Sequence, residues 1–445
     1  MTSVAYVEQQ LRLILEERAN VLAREVGCIV RQRKFRGADL VQTLVFGFEQ
    51  HPHASLEQLA STAAVRAVQV SDTAVHNRFS EPTARLLRRV LEEMSEVVVQ
   101  AAQAVPLALL RRFTAVLYED STTIILPDGL AQQWQGCGGA QSHTQAALKA
   151  HTRWDLKRGR LWGPCLTAGR LSDRQSPLHR EPTVAGSLFI GDLGYFSVPR
   201  MVERQAAGGY TLTRLLPSTA LFTTQGEALV LELLLPRLVG QCKELAVLVG
   251  SRRRHPMRFW MLRVSPEVGE QRRAALREEA RRRQQPVSER ALHLAEWTVL
   301  LTDAPVRLLR LPEALVLLRE RWQLELLFKL WKQQAQVDDW QTAHSWRILC
   351  ELYAKLIGVL LQHWLIVLFA WHDPQRSLVK LAQVVRDTGW CLMEALGGRR
   401  SLHSAMRLIQ RRMGAGCQMN RRRTHPNSAQ LLEAQAVEWA LTWCE

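Results

Sequence analysis

The run LRERWQLELLFKLWK, Leu318 to Lys332, sorts its chemistry by face. At about 100° per residue, Arg321, Glu325 and Lys332 fall on one side of a helix, while Leu324, Leu327, Phe328 and Trp331 fall on the other. A carboxylate between two cations, on a helix docked by Leu and Trp, suits a metal ion held against a phosphate backbone. The same face also reads as a solvated surface with an i,i+4 ion pair. Which reading holds depends on what stands upstream.

Two aspartates stand there. In FTAVLYEDSTTIILP, from Phe113, β-branched and aromatic residues lie on both sides of Glu119-Asp120, as in two strands joined by a tight corner. Further on, Ser187 to Ile190 is a short apolar strand leading into Gly191-Asp192-Leu193-Gly194-Tyr195-Phe196. An acidic residue at a strand end, before a Gly-rich turn and a helix, is where α/β folds place their chemistry. Each has a plainer reading too, since Asp before Ser-Thr is often a turn residue and Asp-Leu-Gly often a helix cap. Glu119, Asp128, Asp155, Asp173 and Asp303 are rival carboxylates, of which Asp155 and Asp303 sit beside turn residues and read as structural.

With 445 residues, 47% of them hydrophobic, the chain can bury the cores of two or three domains. A formal charge of +16 and a pI near 10.1 point to a polyanionic partner, nucleic acid first and an anionic membrane surface second. Residues 1–103 hold twelve Lys/Arg and twelve Asp/Glu, so the excess lies downstream. Residues 252–290 carry twelve Arg against five Glu, and 399–423 carry eight Arg and no acid. The eight cysteines show no zinc spacing and read as reduced thiols of a cytoplasmic protein. The N-terminus lacks signal-peptide architecture. The apolar run Leu356 to Trp371, interrupted by Gln362 and His363, reads as a buried helix rather than a membrane span.

Arg321, Glu325 and Lys332 stand at the spacings of the Tyr-Arg-Glu-Lys signature: Tyr, two residues, Arg, three residues, Glu, six residues, Lys. With Trp322 and Trp331 beside them, the run resembles that signature of bacterial insertion-sequence DDE transposases, in the insertion-sequence-four family. Leu318 takes the Tyr position, a departure. Asp120 in Glu-Asp-Ser-Thr and Asp192 in Gly-Asp-Leu-Gly-Tyr-Phe resemble the family's two catalytic aspartates, and the likeness extends from Phe35 to Leu365.

The resemblance implies an α/β fold: an RNase H-like catalytic core with an N-terminal helical domain and a mainly β insertion domain. The insertion is expected because 132 residues separate Asp192 from Glu325, more than the one helix and one strand such a core needs there. The expected parts are a helical, DNA-binding 1–103, core segments 104–222 and 295–372, an insertion 223–294, and a basic helical 373–445. Asp120, Asp192 and Glu325 would be the catalytic residues and the ligands of two Mg²⁺ ions, with Mn²⁺ as a substitute. Arg321 and Lys332 would bind flanking phosphates, and Arg281, Arg282 and Arg283 would bind DNA without reading sequence. Trp297 would stack on a base swung out of the duplex, or else fill the inner face of its strand with Val299 and Leu301. The partners implied are the element's terminal repeats and target DNA, with a homodimer in the DNA complex and no membrane. A transposase-derived DNA-binding protein without catalysis is the alternative.

In the N-terminal part, Ser55 to Ala63 and Ser71 to Phe79 read as two short helices with Ser caps. They are compatible with a helix-turn-helix offering His76, Asn77 and Arg78 to a groove, and equally with an ordinary helical hairpin.

Overall fold

Val116–Leu126, VLYEDSTTIIL, forms one unbroken strand, β1. The corner expected at Glu119-Asp120 is absent, because no Gly or Pro breaks a run rich in β-branched and aromatic residues. The computed structural model describes residues 2–31, 34–137, 145–235, 242–420 and 430. It divides into two units, one of Met1–Pro106, Ser121–Leu178 and Gln323–Asn420, the other containing Leu107–Asp120 and His179–Trp322. The chain passes between them within β1, after Asp120.

In the first unit β2 (Ala146–Asp155) pairs antiparallel with β3 (Leu161–Ala168), in the order β3-β2-β1. Around this hairpin the unit is helical. Val4–Arg12, Gly37–Gln50 and Glu81–Glu96 precede the long helix Ser345–Phe369, which packs against the second and third of them. By length and composition Ser345–Phe369 could cross a membrane, but 94% of its apolar window is buried in the protein. Its polar groups are also spent internally. Lys355 Nζ donates to the carbonyls of Gln336 and Asp339, and His363 Nε2 donates to Gly159 O at 2.7 Å. It is a core helix, as its interrupted apolar run predicts.

Ser55 and Ser71 cap Leu56–Val65 and Asp72–His76, each accepting a backbone N–H three residues on. The second helix has only five residues and ends at His76, leaving Asn77 and Arg78 outside it. That is too short to lay a row of side chains along a groove. Arg78 instead lies over the Phe35 ring, 5.7 Å from its centroid.

The second unit continues from β1 through β4 (Leu188–Gly191), β5 (Tyr210–Arg214), β6 (Leu221–Phe222), β7 (Cys242–Val249), β8 (His255–Arg263) and β9 (Trp297–Thr302). Their order is β1-β4-β5-β9-β8-β7-β6, with β1, β4 and β5 parallel and every later pairing antiparallel. All four residues of β4 are buried, as suits a parallel strand covered on both faces.

The stretch 223–294 departs from the mainly β expectation. Among its described residues, the strands β7 and β8 extend the sheet from β9, and the rest includes the helices Pro266–Arg283 and Glu289–Leu294. PEVGEQRRAALREEARRR is rich in Ala, Arg and Glu, good helix formers. Ser265 Oγ accepts Val268 N–H at its start, with Pro266 in the first turn. Beneath β7, β8 and β9 lies a core that includes Phe196, Met201, Leu221, Phe259 and Leu301.

One buried acid makes the first unit sensitive to pH. Burial pushes the Glu49 carboxyl from its usual 4.5 up to about 8, although Gln362 Nε2 donates to it and Arg386 is near. Protonated when folded and ionised when unfolded between those limits, it contributes stability that is complete below pH 4.5 and is lost as pH rises toward 8. Glu49→Gln should therefore match the wild type in unfolding free energy from urea titration near pH 4.5 and exceed it at pH 8 by an increment on the order of a few kcal/mol.

Candidate active site

β1 and β4 pair in phase: Val116 with Leu188, Leu117 with Phe189, Tyr118 with Ile190 and Glu119 with Gly191. Paired residues of such strands share a face, and the face alternates along the chain. Asp192 continues β4 in an extended conformation (φ −72°, ψ 170°). One step beyond the last pair, then, Asp120 and Asp192 occupy neighbouring positions on the face of Tyr118 and Ile190. Adjacent strands lie about 4.8 Å apart.

Neither aspartate does what its plainer reading requires. Asp120 lies inside a strand rather than in a turn. Asp192 precedes the 3₁₀ turn Leu193–Tyr195 in cap position, yet its exposed carboxylate makes no capping hydrogen bond.

On this side of β1 packs Leu311–Glu320. Tyr118 Oη donates to Leu317 O at 2.9 Å, and Arg321 Nη1 donates to Asp120 Oδ2 at 3.0 Å. The single helix expected over 318–332 is interrupted, with Leu311–Glu320 ending before Arg321 and Trp322–Gln333 beginning after it. Arg321 itself stays in the right-handed helical region (φ −51°, ψ −31°), so the interruption is local. Nothing in the sequence there explains it.

Glu325 belongs to the first unit, in the first turn of Trp322–Gln333, and is half-buried. The predicted apolar face is buried: Leu324, Leu327, Phe328 and Trp331 are at most 7% exposed. Phe328 and Trp331 meet edge to face at 5.4 Å. Lys332 Nζ donates to Thr123 O at 3.0 Å and lies 3.4 Å from Asp338. Among the described residues, no group of three or more His, Cys, Asp and Glu side chains could hold a metal ion.

Trp297, and part of the basic stretch 252–290, look different in the fold. Trp297 is 7% exposed and belongs to the core under β9 together with Val299 and Leu301. The core reading of Trp297 thus replaces the stacking one, because its ring has no free face to offer a base. Of the arginines in 252–290, Arg272 turns inward to Trp297 O and Thr298 Oγ1, and Arg273 is held by Glu270 and Glu296. Arg281 and Arg282 are 80% and 76% exposed, each near Glu278. The Arg283 side chain and residues 421–423 lie outside the described residues.

The model of the transposase DDE domain matches residues 112–361, more than half the chain. The chain belongs to the DDE transposase family. The transposase for insertion sequence element IS231F of Bacillus thuringiensis subsp. israelensis is 26% identical over 376 residues, covering 80% of this chain and 78% of the relative. That for IS231C of Bacillus thuringiensis subsp. berliner is 25% identical, covering 78% and 75%. That for IS1151 of Clostridium perfringens is 20% identical, covering 77% and 76%. The matched region contains Asp120, Asp192, Arg321, Glu325 and Lys332.

DDE transposases are enzymes that act on DNA with divalent metal ions. Asp120 and Asp192 fit such an ion by chemistry, being hard oxygen donors on one face of neighbouring strands, one of them exposed. For this transposase the core position of Trp297 has a measurable consequence. Trp297→Ala should cost roughly 3 to 5 kcal/mol of stability and slow every DNA step together. Thermal melts beside nicking and joining rates would check it, and selective loss of one step without destabilisation would contradict it.

Proposed function

We propose that this chain is the transposase of a bacterial insertion sequence, with an RNase H-like core in which Asp120, Asp192 and Glu325 hold two Mg²⁺ ions. What supports the reading above all is the in-phase β1–β4 register, which continues, one residue past the Glu119–Gly191 pair, to Asp120 within β1 and Asp192 just after β4 on one face. The parallel pairing of β1 with β4 and of β4 with β5 supports the RNase H-like assignment.

Two such ions, when bound, activate the attacking oxygen and neutralise the leaving one. The three carboxylates supply their ligands. Arg321, whose Nη1 donates to Asp120 Oδ2, would bind a flanking phosphate bidentately, and Lys332 would offer a point charge. In the proposed course, water frees a 3′-hydroxyl, which attacks the opposite strand to leave a hairpin; the hairpin reopens and the 3′ end joins target DNA. The proposal includes a homodimer in the DNA complex and a cytoplasmic setting, where the DNA lies. Arg281 and Arg282, both highly exposed, would bind phosphate without reading bases.

Asp120→Asn, Asp192→Asn and Glu325→Gln should each bind DNA carrying the element's ends yet lower Mg²⁺-dependent nicking by about a thousandfold or more, a loss of several kcal/mol. A variant that nicks at the wild-type rate would remove its residue from the ligand set.

Replacing Arg281 and Arg282 together by Ala should flatten the slope of log affinity against log salt by up to about 1.8, near 0.9 for each phosphate released. Relative preference among DNA sequences should stay the same. A shifted preference with an unchanged slope would contradict the assigned role.

A further inference from the structure

Behind the two aspartates, on the other face of β1 and β4, lies a buried cluster that the proposed chemistry does not use. Leu117 and Glu119 share that face of β1, and Phe189 and Gly191 share that of β4. Glu119 is fully buried. His179, in the 3₁₀ turn Pro177–Arg180, is 6% exposed and places Nδ1 3.2 Å from Glu119 Oε1. The same imidazole meets the Tyr195 ring edge to face at 5.5 Å and 73°.

Each end of this cluster is tied to an aspartate. Glu119 precedes Asp120 in β1. Tyr195 closes the turn that Asp192 opens, donating its N–H to Asp192 O at 2.9 Å. Gly191 is the partner of Glu119 in the register. A Cβ there would stand 3.2 Å from Tyr195 Cβ and 2.8 Å from Phe189 Cε1, too close for the ring to stay. Burying a carboxylate beside an imidazole is a costly way to fill a sheet face, and apolar side chains would fill it with less desolvation.

We infer that Glu119, His179 and Tyr195 are positioning residues that hold the end of β4 against β1 at Glu119, so that Asp120 and Asp192 keep a common aim. The inference rests on the reading that those two aspartates hold the metal. Supporting partners of this kind are worth about 10- to 100-fold in metal affinity.

The test is Mn²⁺ binding by the full-length chain, followed by electron paramagnetic resonance, with thermal melts and end-DNA affinity measured alongside. Asp120→Asn and Asp192→Asn should lose Mn²⁺ binding. His179→Gln and Tyr195→Leu should weaken it about 10- to 100-fold while end-DNA affinity stays at the wild-type value. If both aspartate variants lose Mn²⁺ but His179→Gln and Tyr195→Leu bind it as the wild type does, the positioning role is overturned and the metal assignment stands. If Asp120→Asn and Asp192→Asn bind Mn²⁺ normally, the metal assignment itself fails. Should His179→Gln not fold, Tyr195→Leu gives the same comparison; a lowered melting temperature with unchanged Mn²⁺ affinity overturns the inference.

Discussion

The in-phase parallel pairing of β1 with β4 is the constraint on which the candidate site depends. A slip of one residue in either strand would turn its side chains over, because the period along a strand is two. Asp120 and Asp192 would then face opposite sides, and Glu119 would leave its burial beside His179. Several contacts oppose such a slip. Leu188 N–H donates to Ala115 O and Thr114 N–H to Gly186 O, both at 2.9 Å, fixing the entry of β4 beside β1. Tyr118 Oη holds the opposite face to Leu317 O. At Gly191 an added Cβ would meet Phe189 Cε1 at 2.8 Å, so a larger residue there would push the Phe189 ring aside.

Much of this was legible in the sequence wherever a pattern depended on neighbours along the chain. A short apolar run before a Gly-rich turn marked β4, and the 3.6-residue period marked the buried face of Trp322–Gln333. Ser55 and Ser71 announced their helices because a cap acts within one turn. The two aspartates stood out as acids at the ends of strand-like runs, a pattern carried by their own flanks.

What stayed hidden depended on contacts across the fold. Whether Trp297 meets a base or a core cannot be read from period-2 alternation, since both readings put it on the inner face with Val299 and Leu301; the packing under β9 decides. The 132 residues between Asp192 and Glu325 suggested an insertion, but not that β8 would pair onto β9 and β7 onto β8. His179 gave no signal, because its partners Glu119 and Tyr195 lie 60 and 16 positions away in a chain with 13 histidines.

The basic excess illustrates the same limit in electrostatics. Twelve arginines in 252–290 look like one footprint for a polyanion, yet they divide by what already holds them. Arg272 donates to Trp297 O and Thr298 Oγ1, and Arg258 to Ala304 O and Leu309 O, so withdrawing either would leave carbonyls of the fold unpaired. Arg281 and Arg282 rest near Glu278 on the exposed side of their helix. An exposed pair of that kind is worth about 0 to 1 kcal/mol, little enough for a phosphate to displace the carboxylate. Charge alone overstates the DNA-facing surface, since an arginine is available to a backbone phosphate only where its present partner is cheap to give up.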